Sequence, residues 1–244
     1  MRGKAAKLFS AVLLLFTAVI IVVWQIFFSK TTSVYLISAI VLLISMLPFM
    51  LSFERSAPSA RELALLAVLI SIAVASRAVF YLIPQFKPIA AVVIASAVCL
   101  GAERGYIIGA FSAFVSNFIF GQGIWTPFQM VGLGLVGFAA GLIFKKIKAN
   151  RWSLSITGFI LAFALYGIVA DFSSVIIIGS DLSFASLLAA YGAGIPFSLI
   201  FGAATFIFLF LFGEAFIKKL NRINTKYGIA GFAAVTLKED KNGE

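Results

Sequence analysis

The chain has 244 residues, 62% of them apolar, with a mean hydropathy of +1.12, against roughly 45–50% apolar content in soluble domains. Its 19 basic and nine acidic side chains give a formal charge of +10, there is no histidine, and Cys99 is the one cysteine. A soluble globular protein, an internal disulfide, a Cys/His zinc site and a histidine-based catalytic triad are all excluded, and the apolar surplus points to a multi-pass membrane protein.

Crossing a hydrocarbon core of ~30 Å takes about 20 helical residues. Runs of suitable length fall at 7–28, 33–53, 62–83, 88–103, 105–120, 127–145, 153–178 and 195–217, which predicts an all-α integral membrane protein of eight spans. The first run follows Arg2, Lys4 and Lys7. It is longer than the ~7–15 residues of a signal-peptide core and has no A-x-A-like site after it, so it is expected to stay in the mature protein. The fourth and fifth runs meet at Gly101-Ala102-Glu103-Arg104-Gly105, whose charges and glycines predict a tight hairpin in water. Residues between Gly179 and Ile195, with Ser180, Asp181, Ser183, Tyr191 and Gly192, suit an outer-surface helix, a re-entrant turn or the start of an overlong last helix.

Lysine and arginine set the orientation. With both termini in the cytoplasm, sixteen of them fall on that side, two (Lys30 and Lys87) outside, and Arg77 within a span, which is the asymmetry that positive-inside topology requires. These charges face anionic lipid headgroups of the cell membrane. They are scattered over separate loops, so a nucleic-acid surface is not indicated.

The segment Phe53 to Glu62, with Pro58 and four charges, divides the chain. It separates an amino-terminal two-helix hairpin (1–57) from a six-helix body (58–220), and a polar cytoplasmic tail (221–244) follows. In the body, Ala64, Ala67, Ser71, Ala75 and Ala78 share one helix face, where they suit close approach of another helix, from this chain or from a partner. Gly101, Gly105 and Gly109, and Gly137 with Gly141, read as internal packing. The run Gly132 to Gly137 matches G-x-G-x-x-G, but it lies inside an apolar helix with no strand before it and no acidic residue about 20 positions on, so it is no dinucleotide site. No phosphate-binding loop occurs, so any ATP-driven uptake needs another subunit.

Arg77 and Asp171 are the charges placed inside spans. At 1.5 Å per residue both are expected roughly 9–10 Å below the outer boundary, lining or pairing beside a pocket open to the outside, forming a structural ion pair, or with Arg77 snorkelling outward alone. The richest segment, Asn117 to Met130, reads NFIFGQGIWTPFQM. Gly121 and Gly123 permit a turn, Trp125 gives a flat ring, and Asn117, Gln122, Thr126 and Gln129 add neutral donors and acceptors. A second outer loop, Pro84 to Pro88, contributes Phe86 and Lys87; Tyr191 completes the candidate binding set. No catalytic residue, cofactor or metal ligand is assigned.

Three pieces, SRAVFYLIPQFKP, GAERGYIIGAFSAFVSNFIFGQG and WTPFQMVGLGLVGFAAG, occur in order between Arg61 and Phe144. Together they resemble the substrate-binding S components of energy-coupling factor (ECF) vitamin transporters. Two departures stand out: Ile124 where the family motif GQGPWTP has proline, and the additional hairpin. The resemblance implies a six-helix body that captures a vitamin from outside, without catalysis. It also implies docking through the first body helix, at Ala67, Ser71 and Ala75, on a transmembrane coupling subunit driven by two ATP-binding subunits. By family association the vitamin leans toward cobalamin or a precursor. The competing class is a self-sufficient ion-coupled carrier, for which no inverted repeat is evident. A membrane enzyme ranks last, since Asp171, Arg77 or tyrosines would have to supply its acid-base couple.

Overall fold

The computed structural model describes residues 58–123, 125–178 and 183–228, and part of 40–54. Among the described residues there is no strand. The expected span at 7–28, the first half of 33–53, the carboxy-terminal tip, Ile124, Ser180 and Asp181 lie outside them. Among the described residues, four helices are long and apolar enough to cross a membrane.

Helix α1, Ala60–Val79, starts where the Ser59 side chain accepts from the Glu62 backbone N–H, satisfying a donor that the first turn leaves unpaired. It ends four residues sooner than the apolar run suggests. The Lys87 ammonium donates to the carbonyls of Phe80 and of Tyr81 (2.9 Å), so a cation takes the orphan oxygens that close the helix. Arg77 consequently lies in the last turn of α1 rather than six residues deep.

Helix α2, Ile89–Leu100, and helix α3, Ala102–Phe120, are separated by Gly101 alone, at φ +87, a left-handed conformation that glycine adopts at least cost. Glu103 and Arg104 therefore belong to the first turn of α3 rather than to a turn in water. Arg104 pairs with Glu62, which is 1% exposed, and fastens the start of α3 to the start of α1. Helix α4, Thr126–Ile143, lies along α3 in the most extensive helix contact of the bundle. The glycine series set that closeness: a methyl on Gly137 would lie 2.1 Å from the Gly105 carbonyl oxygen, and one on Gly109 2.1 Å from that of Leu133. Gly105, Gly109, Gly137 and Gly141 pack internally, as their spacing predicts, whereas Gly101 has no atom within 4 Å of an added methyl and serves the turn instead.

Helix α5, Arg151–Ile160, opens with a capping box formed by Asn150 and Ser153. It passes through a π-helical stretch, Leu161–Tyr166, into α6, Gly167–Ile178. Helix α7, Phe184–Phe208, begins at a second capping box, between Ser183 and Ser186, and continues through a π-helical stretch, Leu209–Gly213, into α8, Glu214–Tyr227. Of the three conformations open for residues before Ile195, the overlong last helix is the observed one. Phe184–Tyr227 runs for 44 residues, about 66 Å at 1.5 Å per residue.

The polar segment expected from 221 onward is helical as far as Tyr227, because Ile217 and Leu220 of α8 are buried in the bundle while its lysines face outward. Arg61 donates to the Tyr227 carbonyl (3.2 Å), joining α8 to the start of α1. From the amino-terminal region, Phe49 is buried and stacks on Tyr106 at 3.8 Å between centroids, and Met46 joins the core.

Candidate functional site

The loop 80–88 and the turn at Gly121–Gly123 lie at the same end of the bundle, opposite Gly101, and there the helices part around a cavity of about 470 Å³. Its walls come from two groups of elements. Arg77 of α1, Gln85 and Lys87 of the first loop, Ile89 of α2, and Trp125, Gln129 and Leu133 form one side. Tyr166, Ala170, Asp171 and Ser174, with Gly194, Phe197, Ser198 and Phe201 of α7, form the other.

The first side is held by a continuous hydrogen-bond chain. Arg77 Nη1 donates to Ser116 Oγ and to Asn117 Oδ1 (2.9 Å), and its guanidinium lies 4.2 Å from the centre of the Phe120 ring. Asn117, 1% exposed, donates through Nδ2 to Thr126 Oγ1 (3.2 Å) and Gln129 Oε1 (2.8 Å). Thr126 donates to Gln122 Oε1 (3.0 Å) and accepts from the Gly123 N–H (3.1 Å); Gln122 Nε2 donates to the Phe114 carbonyl (3.0 Å). The end of α3 is thus tied to the start of α4 where Asn117 and Thr126 are buried, and a buried amide left unpaired costs several kcal/mol. Gly123 is dictated by Trp125, since a methyl there would lie 2.5 Å from the indole ring.

Lys87 stands in the loop beyond α1. Burial, and after it the positive charge of Arg77, lowers the pKa of its ammonium from the usual lysine value. Gln85 beside it adopts φ +55, the left-handed region that residues with a side chain rarely occupy.

On the opposite side the Asp171 carboxylate lies against α7, where a methyl on Gly194 would come within 2.2 Å of Oδ1. Among the described residues no hydrogen bond or ion pair joins Asp171 to Arg77 or to any other group. Arg77 and Asp171 both line the cavity, with no ion pair between them among the described residues. Tyr166 lines the cavity with them.

Of the residues singled out in the sequence, Arg77, Lys87, Trp125, Gln129 and Asp171 line the cavity. Asn117, Gln122 and Thr126 support it from behind through the hydrogen bonds above. Phe86 packs edge-on against Phe80 and Phe208, and Tyr191 donates to the Ile168 carbonyl (3.2 Å). Tyr166, Phe201, Ser174 and Ser198 also line the cavity, and nothing in the sequence marks them. Each is an unremarkable member of an apolar run in the sequence, and Tyr166 ends a π-helical stretch, a distortion that often marks functional sites and that periodicity does not reveal. Ala64, Ala67, Ser71 and Ala75 are exposed among the described residues, on a face of α1 away from the cavity.

Neither the curated proteins nor the solved structures include a match to the chain. A family model described as ECF-type riboflavin transporter, S component, matches residues 57–221, well over half of the chain and the whole of the bundle from α1 into α8. The chain belongs to that family: it is the substrate-binding membrane subunit of an ECF-type vitamin transporter, working with an ECF module, and not an enzyme.

Proposed function

We propose that the chain captures a flavin, riboflavin itself in the simplest case, in the cavity between α1, α4, α6 and α7, with that end of the bundle facing outward. The observation that carries this reading is the cavity's make-up. Its volume lies within the roughly 300–1,000 Å³ of small-molecule sites, and the rings of Trp125, Tyr166 and Phe201 flank it alongside the donors of Arg77, Lys87 and Gln129. A flat heteroaromatic ring with carbonyls along one edge matches that combination: aromatic faces for the ring, cationic N–H groups for the oxygens. The matched family's riboflavin description supports the same choice. A corrinoid, with its macrocycle and appended nucleotide, is several times bulkier, and the cavity's size gives no support to the lean toward cobalamin.

Delivery follows from the exposed α1 face. Ala67, Ser71 and Ala75 present a smooth surface on which a helix of the coupling subunit seats, while the paired ATPases supply the energy for which this chain has no nucleotide loop. The positive-inside distribution supports cytoplasmic termini. The test is direct. Purified from membranes, the full chain should carry a flavin identifiable by mass spectrometry and, once stripped, should quench riboflavin fluorescence on titration. Failure to bind riboflavin after stripping, with normal folding, would remove the reading.

A further inference from the structure

The flavin reading accounts for the aromatic faces and the cationic wall and leaves Asp171 without a role; the inference below rests on that reading. Asp171 brings a carboxylate to the cavity from α6 and has no hydrogen-bond or ion-pair partner among the described residues. The hydroxyls of Ser174 and Ser198 share its wall. The close approach of α7 at this point depends on Gly194 having no side chain, since a methyl would strike the carboxylate. Arg77 and Lys87 line the same cavity from α1 and the loop beyond it, together with Tyr166.

One wall therefore centres on two cations, with the amides of Gln85 and Gln129 beside them, and the other on a carboxylate that, once ionised, can accept but not donate. A flavin is asymmetric in the same sense. The pyrimidine edge of its ring system is mostly acceptor, carbonyl and imine groups around a single N–H, and its ribityl chain carries a row of hydroxyls that can all donate. Reversing the molecule would set ring carbonyls against the carboxylate, acceptor facing acceptor.

We propose that Asp171 receives the ribityl hydroxyls and, through its negative charge, excludes flavins phosphorylated at the end of that chain. The ring edge then meets Arg77 and Lys87, and the polyol runs toward Asp171, Ser174 and Ser198. A terminal phosphate would arrive as a second anion at a partly dehydrated carboxylate, where repulsion is much stronger than in water.

The full-length chain in detergent is titrated with riboflavin, with lumiflavin (the ring system without the polyol) and with riboflavin 5′-phosphate, reading ring fluorescence. The natural sequence should bind riboflavin at least about tenfold more tightly than either of the others, the value of hydrogen bonds to a charged acceptor. Asp171→Asn keeps the shape and removes the charge. It should weaken riboflavin about 10- to 100-fold, leave lumiflavin within about threefold, and cut the preference over the phosphate at least about tenfold. The lumiflavin titration also reports whether the variant's site is folded. Ser174→Ala, which alters no charge, should weaken riboflavin by less than about tenfold and keep the discrimination against phosphate.

A natural sequence that binds the phosphate as tightly as riboflavin overturns the assignment without any variant, and so does an Asp171→Asn protein with equal losses for riboflavin and lumiflavin. Either result leaves flavin binding intact. A folded natural sequence that binds none of the three flavins overturns the flavin reading itself.

Discussion

Replacing Arg77 by methionine separates binding from folding, because the substitution keeps an unbranched apolar stem and deletes the guanidinium. In the fold, the change removes two hydrogen bonds from a charged donor, about 1.5–3 kcal/mol each, and a cation–ring contact at 4.2 Å, about 0.5–2 kcal/mol. Opposing these losses is relief from holding a cation partly out of water with no carboxylate beside it, which costs several kcal/mol per ion. Ser116 keeps its own bond to the Ala113 carbonyl, and Asn117 keeps Thr126 and Gln129, so the hydrogen-bond chain survives with two acceptors, Ser116 Oγ and Asn117 Oδ1, losing their donor. The gross terms are of similar size and opposite sign, and stability should change by no more than about 2 kcal/mol in either direction. Binding has no such offset. A charged donor to a ring carbonyl contributes about 1.5–3 kcal/mol, or roughly 10- to 150-fold in affinity. Riboflavin titration and thermal unfolding of the same detergent preparation give both quantities. A folded Arg77→Met protein with undiminished riboflavin affinity would refute the placement of this guanidinium against the ligand, and a collapse in stability with affinity retained would make Arg77 structural.

Ala67→Leu with Ala75→Leu should abolish co-purification with the coupling subunit while riboflavin affinity stays within about threefold, because both alanines are exposed and far from the cavity lining. Gly137→Ala should destabilise the protein by about 1–3 kcal/mol or more in thermal unfolding, since the added methyl meets a carbonyl oxygen at 2.1 Å and the two helices must part. Gly192→Ala is its counterpart: it lies in α7 with nothing within 4 Å of the added atom, and should stabilise by about 0.5–1 kcal/mol. Glu62→Gln leaves Arg104 without its carboxylate at a buried position and should cost about 3 kcal/mol, measured in the same way.

What the sequence reveals of this architecture follows from which interactions are local. The helical character of the bundle and the tight packing along Gly105, Gly109 and Gly137 are written in composition and four-residue spacing, and both appear in the structure. Polar residues in an apolar surround drew attention to Arg77, Gln129 and Asp171 for a sound physical reason: such groups are costly in a membrane unless something engages them. The same logic cannot rank Asn117 or Thr126 correctly, because their side chains are engaged by each other and by Gln129 rather than by the cavity. Nor can it predict where α1 stops. That end is set by Lys87 returning seven residues later to cap the carbonyl of Phe80, a tertiary contact that hydropathy does not register. Tyr166 escaped for a third reason: its direction depends on the π-helical stretch before Gly167, which breaks the periodicity on which a face assignment depends.

The cavity's position follows from how unevenly the bundle is glued. Along α3 and α4 the backbones meet almost without side chains between them, at Gly105 against Gly137 and at Gly109 against Leu133, leaving no room for a ligand. Between α4 and the α6–α7 pair the contacts run instead through large side chains: Tyr166 against Gly132 and Phe201, and Phe128 against Phe172. Bulky spacers hold those elements apart, and the gap they leave widens toward the loops that carry Lys87 and Trp125. The two poles of the cavity accordingly belong to different parts of the fold, Arg77 and Lys87 to the tightly packed side and Asp171 to the spaced one. A molecule that engages both walls therefore bridges the seam along which the bundle is least directly packed, and its binding free energy adds to the stability of that seam through mass action.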